Sequence, residues 1–265
     1  IMAIKQWKTF LMPYQQAVEE LKIKFKSIRK EFKFKNEYSP IEFVTGRVKE
    51  VASILEKVKK FNIPIDRIEF ELEDIAGIRI MCQFVDDIMK VVNIIRKRKD
   101  LTILYEKDYI TNVKESGYRS YHIIIKYPVN LSIGCKEIIS EIQIRTLGMN
   151  FWATAEHSLN YKYKQHIPNN LKNKLKQAAD TVYKLDELMM QIKDEIRDAQ
   201  RLFDVKSHIV SNITDALTSL ISLGGLKEFT NYQMQLTALI EIGDVNQLNS
   251  LLLKIQRDID KYKNF

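Results

Sequence analysis

Cysteine is scarce in this chain: only Cys82 and Cys135 occur among 265 residues, with no partner spacing for a disulfide framework or a zinc site. Both are expected to be plain buried thiols. Long apolar runs are also missing. No stretch approaches the roughly 20 residues that span a bilayer, and the first segment is amphipathic and charged rather than a signal sequence, so a cytoplasmic setting without membrane contact is expected. Ile1 ahead of Met2 reads as an added residue and is set aside. Apolar residues themselves are plentiful. At 45% of the chain they exclude general disorder and can fill one domain with an extension, or two small domains.

Acidic residues are too few to balance the basic ones, and the formal charge is +8. Residues 201–265 hold seven Lys/Arg and seven Asp/Glu, so the whole excess lies in residues 1–200. Nucleic acid, a nucleotide and an acidic membrane surface all fit this charge, as does a merely solvated basic face.

Trp7, Phe10, Leu11, Tyr14, Val18, Leu21 and Phe25 recur at helical spacing and predict a long opening helix over 4–34. Ser39-Pro40 breaks it. Ile41 to Thr45 is β-prone, and Gly46 is expected to turn the chain into a second helix over about 47–61, ended by Asn62 to Pro64. A strand follows at Ile75 to Phe84, then a helix over about 86–98 that Asp86-Asp87 can cap. Further strands are predicted near 101–105, 119–127 and 136–145, and helices from Gly148 onward.

Alternation places chemistry on one side of these strands. Ile138, Ile142 and Ile144 share a face, while Glu141, Gln143 and Arg145 share the other. Ile78, Ile80 and Cys82 likewise oppose Gly77, Arg79 and Met81. The simplest architecture is a mixed sheet with one helix-packed face and one open, charged face. Just ahead of the last strands, Lys114 to His122 supplies a glycine turn, two cations, a histidine and aromatic rings in nine residues, which suits a loop holding a nucleotide by its charge and its base.

Five runs occur in a fixed order: Ser39 to Lys49 (SPIEFVTGRVK), Asp74 to Phe84 (DIAGIRIMCQF), Lys114 to His122, Glu141 to Thr146, and Met149 to Lys162 (MNFWATAEHSLNYK). On these runs residues 2–200 closely resemble the small alarmone synthetases, the single-domain members of the RelA/SpoT family. The resemblance implies an α+β fold built on a nucleotidyltransferase-like mixed sheet. It also implies transfer of pyrophosphate from ATP to the 3′-hydroxyl of GDP or GTP, giving (p)ppGpp and AMP. Such chemistry needs cations around the polyphosphate, a Mg²⁺ held by carboxylates and a group that orients the attacking hydroxyl.

Residue by residue, the resemblance makes Asp74 the magnesium aspartate and Glu141 the catalytic glutamate, accepting the ribose proton or sharing in metal binding. Arg47 and Arg79 match the pair that sandwiches adenine, and Lys49, Lys57 and Lys60 match phosphate contacts on the ATP side. Tyr118 is expected to lay its ring on guanine, with Lys114 and His122 toward the diphosphate and Asn150 and Glu156 on the acceptor side. Gln143 and Arg145 read as supporting partners, and Trp152 and His157 as core or orienting residues.

Lys22, Lys26, Arg29 and Lys33 form a stripe on the opening helix at steps of four, three and four. In the tetrameric branch of the family the corresponding region, with Phe43, Thr45 and Asn150, lines a central cleft for the activator pppGpp. A homotetramer regulated in that way is therefore expected, with a solvated stripe as the alternative. The synthetase domain is taken as 2–205. Residues 206–265 form an extension with three helical stripes, Ile209/Ile213/Leu217/Leu220, Phe229/Tyr232/Leu236/Leu239 and Leu248/Leu251/Leu252/Ile255/Ile259, separated by Gly224-Gly225 and Gly243-Asp244. Only His122, His157, His166 and His208 are present, so synthesis without hydrolysis is expected. Two other readings stay open: pyrophosphate transfer to an adenine nucleotide or a tRNA 3′ end, and a non-catalytic protein that binds RNA or another partner.

Overall fold

The apolar stripe of the opening segment folds as α1 (Ile4–Phe34), with Trp7, Tyr14, Val18, Leu21 and Phe25 all buried. The structure is a computed structural model that describes residues 4–132, 134–162 and 168–263. Ile1, Met2 and His166 lie outside the described residues. Five strands follow: β1 (Phe43–Val48), β2 (Ala76–Cys82), β3 (Thr102–Asp108), β4 (Tyr121–Leu131) and β5 (Gly134–Thr146). They form one sheet in the order β1-β2-β5-β4-β3, in which β2 and β5 run parallel and the other neighbours antiparallel. Helices α2 (Val51–Phe61), α3 (Ile68–Glu71) and α4 (Val85–Arg96) lie between strands in sequence, and α5 (Leu147–Lys162) follows β5 directly. This is the mixed α+β architecture expected from the strand patterns.

The sheet's apolar face carries Ile78, Ile80, Ile123, Ile125, Ile142 and Ile144, each fully buried. That face joins one core with Tyr14, Leu21 and Phe25 of α1 and Ile88, Val92 and Ile95 of α4. Transferring this much apolar surface out of water is the main force that holds the opposite, polar face in a fixed register.

The structure corrects four local expectations. Gly46 does not turn the chain, because β1 runs through it and through Arg47, and α2 begins only at Val51. A side chain there would meet Val18 Cγ1 at 2.8 Å and Ile78 Cδ1 at 2.9 Å, so glycine is required by the close approach of α1. Lys49 consequently precedes α2 rather than riding on it. Asp87 does not cap α4: it is buried and accepts hydrogen bonds from Tyr38 Oη at 2.5 Å and Lys90 Nζ at 2.9 Å. Cys82 is buried as expected, whereas Cys135 is exposed at the start of β5.

The chain divides into two compact units, Ile1–Met190 and Gln191–Phe265. The division expected at 205/206 falls inside α6 (Asn169–Ser222), which no glycine or proline interrupts. In the second unit, Ile213, Leu217 and Leu220 of α6 share a core with Leu236 of α7 (Leu226–Ile242) and Leu248, Leu251 and Ile255 of α8 (Val245–Lys263). Gly243, in the left-handed region at φ 73°, closes α7 by donating its N–H to Leu239 O. Among the described residues no helix is long and apolar enough to cross a membrane.

Replacing Gly46 with alanine is expected to overpack the α1–β1 contact and destabilise the fold by ~1–3 kcal/mol. Urea unfolding of Gly46→Ala beside the parent protein measures this directly.

Candidate active site

Register assembles the polar face row by row. Arg47 pairs with Gly77, which lies beside Glu141, and Glu141 pairs with Ile124. One row along, Thr45, Arg79, Gln143 and His122 stand side by side. The missing side chain at Gly77 opens a trough between Arg47 and Glu141. A Cβ built there would meet only the Arg47 carbonyl oxygen, at 3.8 Å. Arg47 and Arg79 are diagonal neighbours on adjacent strands, a relation that spaces residues by roughly 7–8 Å, within reach of long side chains.

Two cavities open on this face. One, of about 390 Å³, is lined by Arg47, Lys49, Asp74, Arg79, Tyr118, Gln143, Arg145, Glu156 and His157 among others. The second, of about 410 Å³, is lined by Lys57, Asp74, Lys107, Tyr109, Lys114, His122 and Glu141 among others. Asp74 belongs to both. A smaller recess holds Asp74 and Glu141 together with Arg47, Gly77 and Arg79. The two carboxylates expected to act together thus face one space.

Asp74 Oδ2 accepts hydrogen bonds from Lys49 Nζ at 2.6 Å and Lys57 Nζ at 2.8 Å. Burial pushes its carboxyl pKa up, but the two lysine hydrogen bonds and charges outweigh burial and hold it below the ordinary carboxylate range. Asp74 Oδ1 is buried and has no hydrogen-bond partner. A divalent cation with a preference for oxygen ligands fits that oxygen. Among the described residues no group of three or more His, Cys, Asp or Glu side chains is arranged around a common metal position.

Glu141 is bonded at both oxygens. His122 Nδ1 lies 2.8 Å from Oε1, and Gln143 Nε2 donates to Oε2 at 2.8 Å. Burial raises the Glu141 pKa and the neighbouring Asp74 charge adds to that, yet the His122 and Gln143 contacts win and leave the carboxyl below its usual range. Arg145 donates to Gln143 Oε1 and, at 3.1 Å, to Tyr118 Oη. Burial and the charges of Arg145 and Arg47 make Arg79 easier to deprotonate than an ordinary arginine, the mark of guanidiniums crowded where an anion would relieve them.

Gly117, at φ 90°, forms the expected turn, with its N–H donating to Lys114 O at 2.8 Å. The loop is braced by α6: a Cβ at Gly117 would meet Ala179 Cβ at 2.7 Å, and Arg119 Nη2 donates to Asp180 Oδ1 at 3.0 Å. Lys114 Nζ lies 4.3 Å from the Tyr109 ring centroid and 5.0 Å from that of Tyr118. Lys107, near the end of β3, and Tyr109, in the turn after it, also line the second cavity and carry no spacing signal in the sequence. His122 lines the same cavity, is only 6% exposed, and has both ring nitrogens engaged, by Glu141 and Tyr118.

Of the remaining residues singled out, Glu156 and His157 line the first cavity, and Asn150 has a buried Oδ1 without a partner. Trp152 is buried, with its indole N–H donating to Leu175 O at 2.8 Å, and serves packing. Lys60 lines neither cavity and lies over the Phe61 ring at 5.4 Å. Phe43 and Thr45 stand on the cleft side of β1, alternating with Val44 and Gly46, which face α1. On α1, Arg29 pairs with Glu42 at 3.2 Å and Lys22 lies 3.9 Å from Glu19.

Residues 46–166 match the family described as the region found in RelA / SpoT proteins. The GTP pyrophosphokinase YjbM of Bacillus subtilis is 55% identical over 202 residues, covering 76% of this chain and 95% of that protein. The crystal structure of the small alarmone synthetase 1 from Bacillus subtilis bound to its product pppGpp superposes with a TM-score of 0.70 at 56% identity, covering 72% of this chain and 98% of that one. The same synthetase bound to AMPCPP gives a TM-score of 0.64 at 51% identity, covering 73% and 98%. With identity sustained over nearly the full length of these proteins, the chain belongs to the RelA/SpoT family, among its small alarmone synthetases.

Proposed function

We propose that this protein makes (p)ppGpp by moving the pyrophosphate of ATP onto the 3′-hydroxyl of GDP or GTP. The observation that carries this reading is the polar sheet face, where the Arg47–Arg79 pair, the Asp74 recess and Glu141 open on one trough beside Gly77. The small alarmone synthetase 1 of Bacillus subtilis, 51–56% identical over the matched residues, is seen bound to pppGpp and to AMPCPP, an adenine nucleotide.

Arg47 and Arg79 would hold adenine between guanidinium planes, and Lys49 and Lys57 would turn from Asp74 to the triphosphate when it enters. Lys60 is assigned to the outer phosphate contacts on resemblance alone. Tyr118 would stack on guanine, with Lys114, Asn150 and Glu156 around the acceptor nucleotide. The ribose 3′-oxygen forms a bond to the β-phosphorus, the bond from that phosphorus to the α–β bridging oxygen breaks, and AMP leaves with that oxygen. The hydroxyl proton passes to Glu141. A carboxylate with a lowered pKa is a weak base, which suffices because phosphoryl-type transfer is loose and chiefly needs the hydroxyl oriented. A Mg²⁺ ion on Asp74 would supply neutralisation of the polyphosphate charge.

A cytoplasmic homotetramer activated by pppGpp is part of the same proposal. Lys22, Lys26 and Arg29 on α1, Phe43 and Thr45 on β1 and Asn150 on α5 would contribute to the effector site.

With Mg²⁺, γ-labelled ATP and GDP, label is expected in a guanosine product with equal release of AMP, and Glu141→Gln should lower the rate by at least about 10²-fold. Label found only in inorganic phosphate or on tRNA would refute the assignment. Gly77→Val should fold normally, since valine suits a strand and little lies near that position. Its binding of a non-hydrolysable ATP analogue, followed by calorimetry, should weaken by roughly tenfold or more, about 1.4 kcal/mol, as the trough fills.

A further inference from the structure

Five side chains around the cleft close into a ring of hydrogen bonds. Arg145 can only donate, and it donates to Tyr118 Oη and to Gln143 Oε1. Arg79 Nε donates to the same Gln143 oxygen at 3.3 Å, so the Gln143 amide nitrogen is the atom turned toward Glu141. The ionised Glu141 can only accept, which places a proton on His122 Nδ1. Tyr118 Oη lies 2.9 Å from His122 Nε2. In a neutral imidazole with its proton on Nδ1, Nε2 can only accept, so the Tyr118 hydroxyl donates to it. Every bond in the ring then runs from Arg145 toward Glu141, and a neutral imidazole is satisfied at both nitrogens.

We propose that the hydroxyl of Tyr118, as distinct from its ring, positions Glu141 by holding His122 in the Nδ1–H form, so that the acceptor-base platform and the reacting carboxylate are one hydrogen-bonded unit. The inference rests on the reaction proposed above and adds a role for an atom that base stacking does not use. The two arms are equivalent in form but not in consequence. Gln143 stands within the sheet beside Arg79, whereas Tyr118 sits in the Gly117 loop, where a nucleotide would press on it. Tyr118 is thus a positioning residue as well as a stacking surface.

Tyr118→Phe keeps the ring and removes the hydroxyl. The KM for GDP should stay within about twofold while kcat falls roughly tenfold, the worth of one hydrogen bond to an ordered group. His122→Asn offers an amide nitrogen in place of Nδ1 and nothing in place of Nε2. In that background, adding Tyr118→Phe should cost no further activity, because the link it breaks is already gone. A parental kcat in Tyr118→Phe, or an equal loss in both backgrounds, would overturn the inference. Nitrogen NMR of the unmutated protein gives a readout independent of any variant: neutral His122 should be protonated at Nδ1, and protonation at Nε2 instead would overturn it. Glu141→Gln separates the two levels. If parental transfer activity disappears in Glu141→Gln but Tyr118→Phe is unaffected, only this inference fails; if the parent transfers no pyrophosphate to guanosine, both fail.

Discussion

The site depends on the parallel pairing of β2 with β5. That one register sets Gly77 beside Glu141 and Arg79 beside Gln143. A slip of one residue would turn every one of these side chains to the opposite face. The slip is prevented from below, because Ile78, Ile80, Ile142 and Ile144 are fully buried against α1 and α4 on the other side. The apolar half of each strand therefore fixes where the charged half points. Which strand residues face the cleft is a consequence of core packing on the opposite face.

On that fixed surface the charges are arranged so that neither carboxylate is left alone. Asp74 is held ionised by two lysines and Glu141 by a histidine and an amide, in both cases against burial, which favours the neutral acid. The cations are treated differently. Burial, and after it the charges of Arg145 and Arg47, lowers the pKa of Arg79. A polyphosphate entering the trough would find cations whose mutual repulsion it relieves and lysines with a carboxylate to exchange for it. This arrangement puts electrostatic work into preorganisation, where charge-dominated transfer reactions need it.

Much of this was legible in the sequence because it rests on period and composition. The alternation in Glu141-Ile142-Gln143-Ile144-Arg145 gave the polar face, and the five ordered runs gave the family. What escaped depends on contacts distant in sequence. Gly46 looks like a turn because glycine relaxes backbone limits, yet here it answers to Val18 of α1. Asp87 has the composition of a cap, and only the fold shows Tyr38 reaching it. Tyr109 meets Lys114, Tyr118 and His122 through a turn that no spacing announces. The continuity of α6 is written in the sequence, since no glycine or proline falls between Asn169 and Ser222.

The measurement that bears most directly on this account is a crystal structure of the protein with GDP, Mg²⁺ and a non-hydrolysable ATP analogue bound together. It should show adenine between Arg47 and Arg79, the metal on Asp74, and the guanosine 3′-oxygen within hydrogen-bond distance of Glu141. A guanosine ribose turned away from Glu141, or a metal seated without Asp74, would contradict it.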